Sequence, residues 1–548
     1  MISRPNTQGF LSALAVLLPC AILAARLLTA EPSEPFYNND ETRHVMTGVF
    51  FADLMHSLPL QDPKQFAIDY YFQYPALGIP LYPPLFYILE GAGMTALGPS
   101  MLVGKGLVLL FLLTACVFLF RIVRRTHGVI EARIAVLVFG LSPQIVLLSG
   151  QVMLDVPMVA LALGTLFFFC RYLDSQRPWD VIFSALLAAF AALTRYSVAF
   201  LPVTLLLLLF LWGRWRLLGR REVIAAGILA LALVLPYYLL AARMIGWVHL
   251  RQAVGAAGGS SSATVWGRWI DYVVAVPGQI GWFATVAAAV GIFGYLMRRS
   301  HRAAAPWIAL AAGTYLTFAP LAIHGQRFVI SWVPAFAVFA VDGVRQLTTW
   351  FRSRPAMYPV AAILVLGTAW SSLSVESPYL RGYEAAASHV LRGTKDSRRC
   401  LFDGALNGNF IYQIRSHDPA RRLQVLRGDR VLYSVLLQPD FGYTEPYRTD
   451  AEMIRALARF DPEYVVVESP PLIGFATPAG ERLRRILRTE EDRFRLETVI
   501  PIQTNQSEFK GSQLLVYRNR IRNPAPQTRI EFTVPALGAA RPSGGAAR

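Results

Sequence analysis

The sequence predicts a polytopic α-helical membrane protein with a soluble α/β domain at its C-terminal end. Of its 548 residues, 54% are hydrophobic and only 16% are charged, whereas soluble domains are usually about 25% charged. The apolar residues gather in blocks long enough to cross the hydrocarbon core of a bilayer, which takes about 20 helical residues. These blocks stop at about residue 375, so a membrane-embedded part precedes a water-soluble part.

Eleven apolar blocks are predicted to cross the membrane, and up to thirteen crossings are allowed. The first block is interpreted as an uncleaved helix, because many further spans follow it. The short block 82–98 begins with a proline pair and contains Glu90, so we interpret it as a re-entrant or partial helix. The eleven blocks fall near 10–30, 101–120, 132–149, 155–171, 180–195, 197–213, 222–242, 277–297, 304–322, 327–344 and 357–374.

Arginines between the blocks predict the orientation, because cytoplasmic loops carry an excess of positive charge. This bias also explains the net charge of +17 without a nucleic-acid partner, and none is predicted. The long loop 31–81 and the whole chain after 375 then face outward. The arginine-rich segments assigned to the cytoplasm are 121–133, 171–180, 214–221, 298–302 and 345–354.

The predicted domains are a transmembrane domain over 1–374, with its first external loop at 31–81, and an extracytoplasmic α/β domain over 375–522. The composition of 523–548 predicts a disordered end. Within the α/β domain, alternating apolar runs predict strands and periodic stretches predict helices. The strands are 399–403, 464–468, 495–502 and 513–518, and the helices are 380–393, 404–415, 450–460 and 480–489.

An acidic pair, Asp40-Glu41, stands at the start of a predicted helix in the first external loop. Apolar residues at helical spacing after it, such as Val45 and Val49, predict a helix lying along the membrane surface. By itself the pair is explained by helix capping and by the helix dipole. Its neighbours in the predicted topology favour a chemical role.

A second acid and several cations share the outer side with this pair. Asp155 lies at the outer end of a predicted membrane helix, where a carboxylate is costly and often functional. Arg195 and Arg327 lie at other outer helix ends, with His324 and Gln326 beside Arg327. Each arginine alone is explained by snorkelling to the headgroups. As a group, against the positive-inside bias, they indicate an anionic partner such as a phosphate.

The order of these motifs resembles that of the class C glycosyltransferases. The pair Asp40-Glu41 follows the first helix, and a Pro-Pro-Leu-aromatic motif follows at 83–86. Asp-Val-Pro at 155–157, Thr-Arg-Tyr at 194–196 and Gln-Arg-Phe at 326–328 come next. The branch most similar to this layout is the superfamily of protein O-mannosyltransferases and lipid A aminoarabinose transferases. The C-terminal part resembles the periplasmic domain of bacterial members.

This resemblance implies a GT-C-like fold in a bacterial inner membrane, with the C-terminal domain outside the cytoplasm. It implies a glycosyltransferase that moves a sugar from a polyprenyl-phosphate carrier to an acceptor on the outer face, generally with inversion. By the same match, Asp40 is the base and Asp155 a second acid near the donor. Tyr82 stands where the family often has His or Lys, which puts a cationic phosphate contact at that position in doubt.

In this interpretation Arg195 and Arg327 stabilise the departing phosphate, and Glu41 and Asp155 orient the sugar, tune Asp40 or hold a metal. Carboxylates would suit Mg²⁺ or Mn²⁺, but the sequence defines no ligand set and therefore no definite cofactor. The predicted partners are the bilayer, the lipid-linked donor, and a glycolipid, polysaccharide or protein acceptor.

Two alternatives are left open. One is a transporter or flippase of lipid-linked sugars, and the other is a membrane assembly partner whose tail binds proteins. Convergence of Asp40, Asp155 and the outward arginines on one site would favour the enzyme.

Overall fold

The fold was analysed in a computed structural model of the chain. It describes residues 7–29, 34–35, 39–253, 265–297, 302–322, 325–350, 357–395, 398–435, 443–472, 475–523, 532–534 and 538–540. Up to residue 373 the described chain is helical, and a mixed β-sheet with flanking helices follows it.

Every apolar block of the sequence is helical. The first seventeen helices are α1 Thr7–Thr29, α2 Asp40–Ser57, α3 Pro63–Gln73, α4 Leu85–Leu97, α5 Met101–Thr126, α6 Val129–Gly140, α7 Pro143–Ser149, α8 Asp155–Ser175, α9 Pro178–Ala192, α10 Phe200–Leu211, α11 Arg221–Ile245, α12 Val248–Ala253, α13 Val265–Ile280, α14 Trp282–Leu296, α15 Ala305–Phe318, α16 Val333–Trp350 and α17 Met357–Leu373.

The chain is a multi-pass membrane protein. Five described helices are long and apolar enough to cross a bilayer, or six if α6 and α7 count as one bent span. Several shorter apolar helices accompany them, among them α4, α9, α14 and α17. These lengths leave the number of crossings, eleven to thirteen, a prediction.

Two predicted spans are interrupted. The block 132–149 is bent by 60° between α6 and α7, where Pro143 begins the second helix and stiffens the break. The block 277–297 is interrupted at Gly281, whose φ of 83° suits glycine. The block 327–344 is continuous, because its 3₁₀ start, Gln326–Trp332, leads directly into α16 and the two form one candidate span of 25 residues. Each break replaces a predicted straight span by two segments.

The predicted surface helix is present as α2, but its apolar residues do not face a membrane. Val45, Met46, Val49 and Phe50 are all buried inside the protein. Helix α2 packs closely on α4 and also contacts the C-terminal region. A sequence pattern shows only that a face is apolar, so it does not distinguish lipid from protein as the covering partner.

Helix α4 fits the expected short helix in the block 82–98. Its 13 residues begin after Pro84, which is favourable at a helix start. A Cβ at Gly91 would lie 2.5 Å from Cβ of Phe51 on α2. The glycine therefore lets the two helices approach closely.

The C-terminal region contains a five-stranded mixed sheet in the order β3 (Gln424–Arg427), β2 (Arg399–Asp403), β4 (Tyr464–Ser469), β7 (Gln513–Asn519) and β5 (Phe494–Pro501). The inner pairs β2–β3 and β2–β4 are parallel, and β7 pairs antiparallel with β4 and β5. The predicted strands are confirmed, whereas β3 and the two-residue strand that precedes α18 are not among the predicted elements. The elements are β1 Leu380–Arg381, α18 Tyr383–Gly393, β2 Arg399–Asp403, α19 Asn407–His417, β3 Gln424–Arg427, α20 Gly428–Val431, α21 Asp450–Phe460, β4 Tyr464–Ser469, α22 Pro478–Thr489, β5 Phe494–Pro501, β6 Gln503–Thr504, β7 Gln513–Asn519, β8 Phe532–Val534 and β9 Gly538–Ala540.

The predicted disordered end lies mostly outside the described residues. Within it, β8 and β9 pair as a short antiparallel hairpin. Disorder of the remaining end stays a prediction.

The C-terminal region is attached to the first loop by buried polar contacts. The amide of Asn39 donates to the carbonyl of Ala405, and the hydroxyl of Thr42 donates to Oδ1 of Asn409 over 2.6 Å. Nη2 of Arg415 on α19 lies 2.8 Å from both carboxylate oxygens of Asp53 on α2. These contacts hold the start of α2, and with it the acidic pair, against the sheet domain.

We expect Arg415→Gln to loosen this attachment. The Arg415 and Asp53 side chains are only 7% and 16% exposed, and removing one partner of such a pair costs about 2–3 kcal/mol. The midpoint of thermal unfolding should fall by several degrees, and limited proteolysis should cut faster between the two parts. Arg485→Gln is the matched control, because its pair with Asp450 is exposed. Equal effects of the two substitutions would contradict this role of Arg415.

Candidate active site

Asp40 lies in the first turn of α2 and is held by partners from two distant segments. Nη1 of Arg327 lies 2.7 Å from its Oδ2, and the hydroxyl of Tyr82 donates to its Oδ1 over 3.1 Å. The residue before it, Asn39, has a left-handed φ of 65°, which asparagine tolerates better than most residues. The backbone thus turns into α2 with the Asp40 carboxylate facing Arg327.

The electrostatic surroundings keep Asp40 ionised. Burial alone would raise the pKa of Asp40, but the positive charges of Arg327 and Arg43 hold it below its ordinary value. For Tyr82, burial and the neighbouring Asp40 charge raise the pKa of the phenol, so it remains a neutral hydrogen-bond donor. An ionised, buried carboxylate beside a cation is a suitable general base once a substrate hydroxyl reaches it.

A second arginine–carboxylate pair lies beside the first. Arg195, in the turn after α9, donates from Nη1 to Oδ2 of Asp155 at the start of α8. Both side chains are buried. Arg327 feels the negative charges of both Asp40 and Asp155, which shows that the two pairs share one site. The other oxygen of Asp155, Oδ1, has no hydrogen-bond partner among the described residues.

Glu41 is directed away from this centre. Its Oε1 accepts the backbone N–H of Val152 over 2.9 Å, in the turn that leads into Asp155. Its charge acts on Glu90 and Tyr412. Glu41 therefore ties α2 to the turn before α8.

Two neighbours of Asp40 were missed in the sequence. Nδ1 of His44 lies 2.7 Å from the Tyr87 hydroxyl oxygen. Burial, aided by the charges of Arg195, Arg327 and Arg43, lowers the pKa of His44 to about 3 despite the opposing effect of Asp40. The ring is therefore neutral at physiological pH. His44 follows Asp40 by one helical turn, and that spacing was the available signal.

Arg43 is the second missed residue. It is half-buried, and its charge acts on Asp40, His44, Tyr82 and Asp429. In the described part of the chain it makes no ion pair and no side-chain hydrogen bond. Asp429 is already engaged by Arg427 and Arg430. Arg43 thus stands beside Asp40 with its charge uncompensated by a close partner.

The segment between α3 and α4 is fixed over the site by backbone hydrogen bonds. The N–H of Gly78 donates to Oγ1 of Thr47 over 2.8 Å. The carbonyl of Pro80 accepts the hydroxyl of Tyr237 from α11 over 2.8 Å. This anchoring places Tyr82, two residues further on, against Asp40.

Like Glu41, the predicted site residue Gln326 does not join this cluster. His324 lies outside the described residues. Gln326 has an exposed side chain, and its described role is through the backbone, where its carbonyl accepts Nε2 of Gln279 over 2.9 Å. Asp40, Asp155, Arg195, Arg327 and Tyr82 lie together in this cluster, and their roles stay a prediction.

The site does not resemble a metal centre. No group of three or more His, Cys, Asp or Glu side chains that could hold a metal occurs within the described ranges. Asp40 and Asp155 each use one carboxylate oxygen to bind an arginine. Of the three roles considered for Glu41 and Asp155, that of holding Mg²⁺ or Mn²⁺ therefore finds no support in this geometry.

Comparison with known proteins agrees with this architecture. Residues 82–239 match the family described as dolichyl-phosphate-mannose-protein mannosyltransferase. No curated protein sequence matches the chain. Solved structures match at low sequence identity, so their likeness concerns the fold.

Three of these similar solved structures come from different organisms. ArnT from Cupriavidus metallidurans bound to undecaprenyl phosphate has a TM-score of 0.60 and 11% identity over 91% of this chain and 97% of its own. A second is the archaeal oligosaccharyltransferase AglB from Archaeoglobus fulgidus in complex with an inhibitory peptide and a dolichol-phosphate. Its TM-score is 0.54 and its sequence identity 12%, and the match covers 83% of this chain and 69% of AglB. The mycobacterial arabinofuranosyltransferase AftD has a TM-score of 0.54 and a sequence identity of 13%, and the match covers 97% of this chain and 41% of AftD.

The fold is that of the class C membrane glycosyltransferases. The resemblance inferred from the motif order is confirmed by the match of residues 82–239 to the mannosyltransferase family and by the likeness of the fold to ArnT along nearly both whole chains.

Proposed function

We propose that the protein is an integral membrane glycosyltransferase that transfers a sugar from a polyprenyl-phosphate carrier to an acceptor hydroxyl on the outer face of the membrane, with inversion. The observation that carries this proposal is the charge of the site. Among the described residues, Arg43, Arg195 and Arg327 lie around two carboxylates, Asp40 and Asp155. Asp429, which the charge of Arg43 also reaches, is already paired with Arg427 and Arg430 and does not offset it. With His44 neutral, one positive charge remains in excess.

A phosphodiester-linked sugar donor supplies the missing negative charge. Cations that are already in place stabilise the charge that grows on the phosphate as the sugar leaves. Undecaprenyl phosphate is bound to ArnT and a dolichol-phosphate to AglB, and these lipids have the same chemical character. Arg43 and Arg327 are the proposed phosphate partners, because both lie beside the base.

The sugar is assigned to the neighbourhood of Asp155. Its Oδ2 is fixed by Arg195, and its buried Oδ1 lacks a partner among the described residues. A buried acceptor without a donor is costly, by about 1–3 kcal/mol. A sugar hydroxyl would satisfy it and orient the ring for attack.

Transfer then follows from the placement of Asp40. Its carboxylate takes the proton of the acceptor hydroxyl while the acceptor oxygen bonds to the anomeric carbon. The bond from that carbon to the phosphate oxygen breaks, and its electron pair leaves with the polyprenyl phosphate. A single attack opposite the leaving group inverts the anomeric centre. Tyr82 and Arg327 keep Asp40 ionised and aimed.

The glycolipids, polysaccharides and proteins of the cell envelope are the candidate acceptors. Comparing envelope components by mass spectrometry with and without the protein tests the proposal. We expect at least one component to lose the mass of one sugar residue when the protein is absent or carries Asp40→Asn. An unchanged envelope together with unchanged pools of lipid-linked sugars would contradict a transfer reaction.

We expect Arg43→Gln to weaken donor binding about 10-fold or more, because a charge-assisted contact to phosphate contributes about 1.5–3 kcal/mol. The binding of undecaprenyl phosphate to the purified protein, followed by quenching of intrinsic fluorescence at several salt concentrations, measures this effect. The salt dependence of binding should also become shallower. Arg243→Gln, at an exposed arginine on α11, is the control. Equal affinities of wild type and Arg43→Gln would remove Arg43 from the phosphate site.

A further inference from the structure

Behind Glu41 lies a buried acid that the proposed reaction does not use. Glu90 on α4 is fully buried, and neither of its carboxylate oxygens has a hydrogen-bond partner among the described residues. A carboxylate in such a place is expensive unless it is paired or neutral. The fold therefore either keeps Glu90 neutral or bears the cost of an unpaired buried charge.

The surrounding helices leave room for this side chain in a specific way. A Cβ on Gly48 of α2 would lie 2.4 Å from Oε2 of Glu90, and a Cβ on Gly104 of α5 would lie 2.5 Å from Oε1. Two glycines on different helices thus make the space that the carboxyl group fills. The group is wedged between α2 and α5.

The groups that face Glu90 do not favour a negative charge. From α2 the charge of Glu41 repels it. From α4 it faces the Tyr87 hydroxyl and from α19 the Tyr412 hydroxyl, both of which feel its charge. Helix α5 contributes Gly104. Throughout the described ranges, no cation acts on Glu90.

We propose that Glu90 is a neutral carboxylic acid that positions Glu41 and, through the hydrogen bond from the N–H of Val152, the turn that ends at Asp155. A neutral Glu90 does not repel the Glu41 carboxylate, which keeps its 2.9 Å contact with that N–H. Ionisation of Glu90 would place two like charges side by side between packed helices. The turn before Asp155 would then lose its support, so Glu90 is a positioning residue.

The state of Glu90 is measured directly by infrared spectroscopy of the purified full-length protein in lipid nanodiscs at pH 7. Protonated carboxyl groups have a carbonyl stretching band that ionised carboxylates lack. This band should be stronger in wild type than in Glu90→Gln. In Glu222→Gln it should be retained, because Glu222 lies beside Arg220 at the start of α11. If wild type and Glu90→Gln do not differ in this band, Glu90 is ionised and the proposal is overturned.

The positioning role is measured by thermal unfolding between pH 6 and pH 9. The neutral form fits the fold, so its stabilisation is present at low pH and is lost as the pH rises through the value at which Glu90 ionises. Wild type should lose several degrees of melting temperature toward pH 9, relative to Glu90→Gln. Glu41→Gln should reduce that loss, because the repulsion needs both charges. A parallel pH dependence in wild type, Glu90→Gln and Glu41→Gln would contradict the coupling.

The role of Glu90 in placing Asp155 for sugar transfer rests on the proposed function. The infrared and the thermal-unfolding measurements do not depend on that function. A protein that fails to transfer sugar could still show the acid band and the pH-dependent stability. A transferase that lacks both would leave the proposed reaction intact and remove only the role of Glu90.

Discussion

Asp40→Asn is expected to abolish sugar transfer while the protein still folds and binds its lipid donor. The asparagine amide keeps the shape of the side chain and an oxygen that can accept from Arg327 or Tyr82, but it cannot take a proton. Loss of a general base costs about 10²–10⁴-fold in rate. The turnover of a polyprenyl-phosphate sugar by purified protein in nanodiscs, at saturating donor, measures this loss.

Measuring lipid binding by Asp40→Asn distinguishes loss of the catalytic base from structural damage to the site. Removing the Asp40 charge increases the positive excess around the donor phosphate, so undecaprenyl phosphate should bind Asp40→Asn at least as tightly as wild type, most clearly at low salt. Asp62→Asn is the matched control, because Asp62 caps α3 and asparagine caps equally well. Full turnover in Asp40→Asn would end the assignment of Asp40 as the base.

Arg327→Gln is expected to have the second largest effect, because it removes a proposed phosphate partner and leaves Asp40 buried without its closest cation. Removing one preorganised charge-stabilising group typically costs about 10²–10³-fold in rate. We therefore expect a loss of that order in kcat/KM at pH 7. Arg243→Gln, which changes an exposed arginine, should have little effect on the same constant.

The pH dependence of Arg327→Gln gives the sign of its effect on Asp40. In wild type the pKa of Asp40 lies below its ordinary value, so the base is ionised throughout the neutral range. Without Arg327, burial becomes dominant and raises the pKa. The activity that Arg327→Gln retains should therefore fall as the pH drops toward neutral and recover in alkaline solution, where wild type is flat. A pH profile parallel to that of wild type would show that Arg327 does not hold Asp40 ionised.

The stability of the folded protein should change in the same direction. In wild type the lowered pKa of Asp40 contributes stability above its unfolded pKa, and that contribution is lost as the pH falls through the folded value. With the pKa raised in Arg327→Gln, ionised Asp40 destabilises the fold as the pH rises. Melting temperatures at acidic and alkaline pH should therefore change in opposite senses in the two proteins.

The sequence predicted the helices well because long apolar runs have one dominant physical cause. It was less informative where a helix is broken locally, as at Gly281, or where an apolar face is covered by protein. Helix α2 illustrates the second case, because Val45 and Val49 have the spacing of a surface helix but pack inside the protein. Strand β3 is only four residues long and lies in a polar stretch, so its pattern was too weak to predict.

For the site, residue order along the chain identified Asp40, Asp155, Arg195 and Arg327, and topology placed them on one side. The sequence could not show that Arg195 and Arg327 are each paired with a carboxylate. The Arg195–Asp155 pair joins residues 40 positions apart, and the Arg327–Asp40 pair joins residues 287 positions apart. Arg43 was missed for a related reason. Its importance lies in the absence of a close partner, which only three-dimensional packing reveals.

We propose that this protein takes a sugar from a lipid phosphate with Asp40 as the base. The most direct test is purified wild-type protein in nanodiscs, supplied with polyprenyl-phosphate-linked sugars and a cell-envelope extract as the acceptor source. Free polyprenyl phosphate is then quantified by mass spectrometry. We predict release from at least one donor by wild type and by Asp62→Asn, and none above background by Asp40→Asn. Equal release by wild type and Asp40→Asn would contradict the role of Asp40 as the base, and no release by wild type from any donor would contradict the proposed transfer reaction.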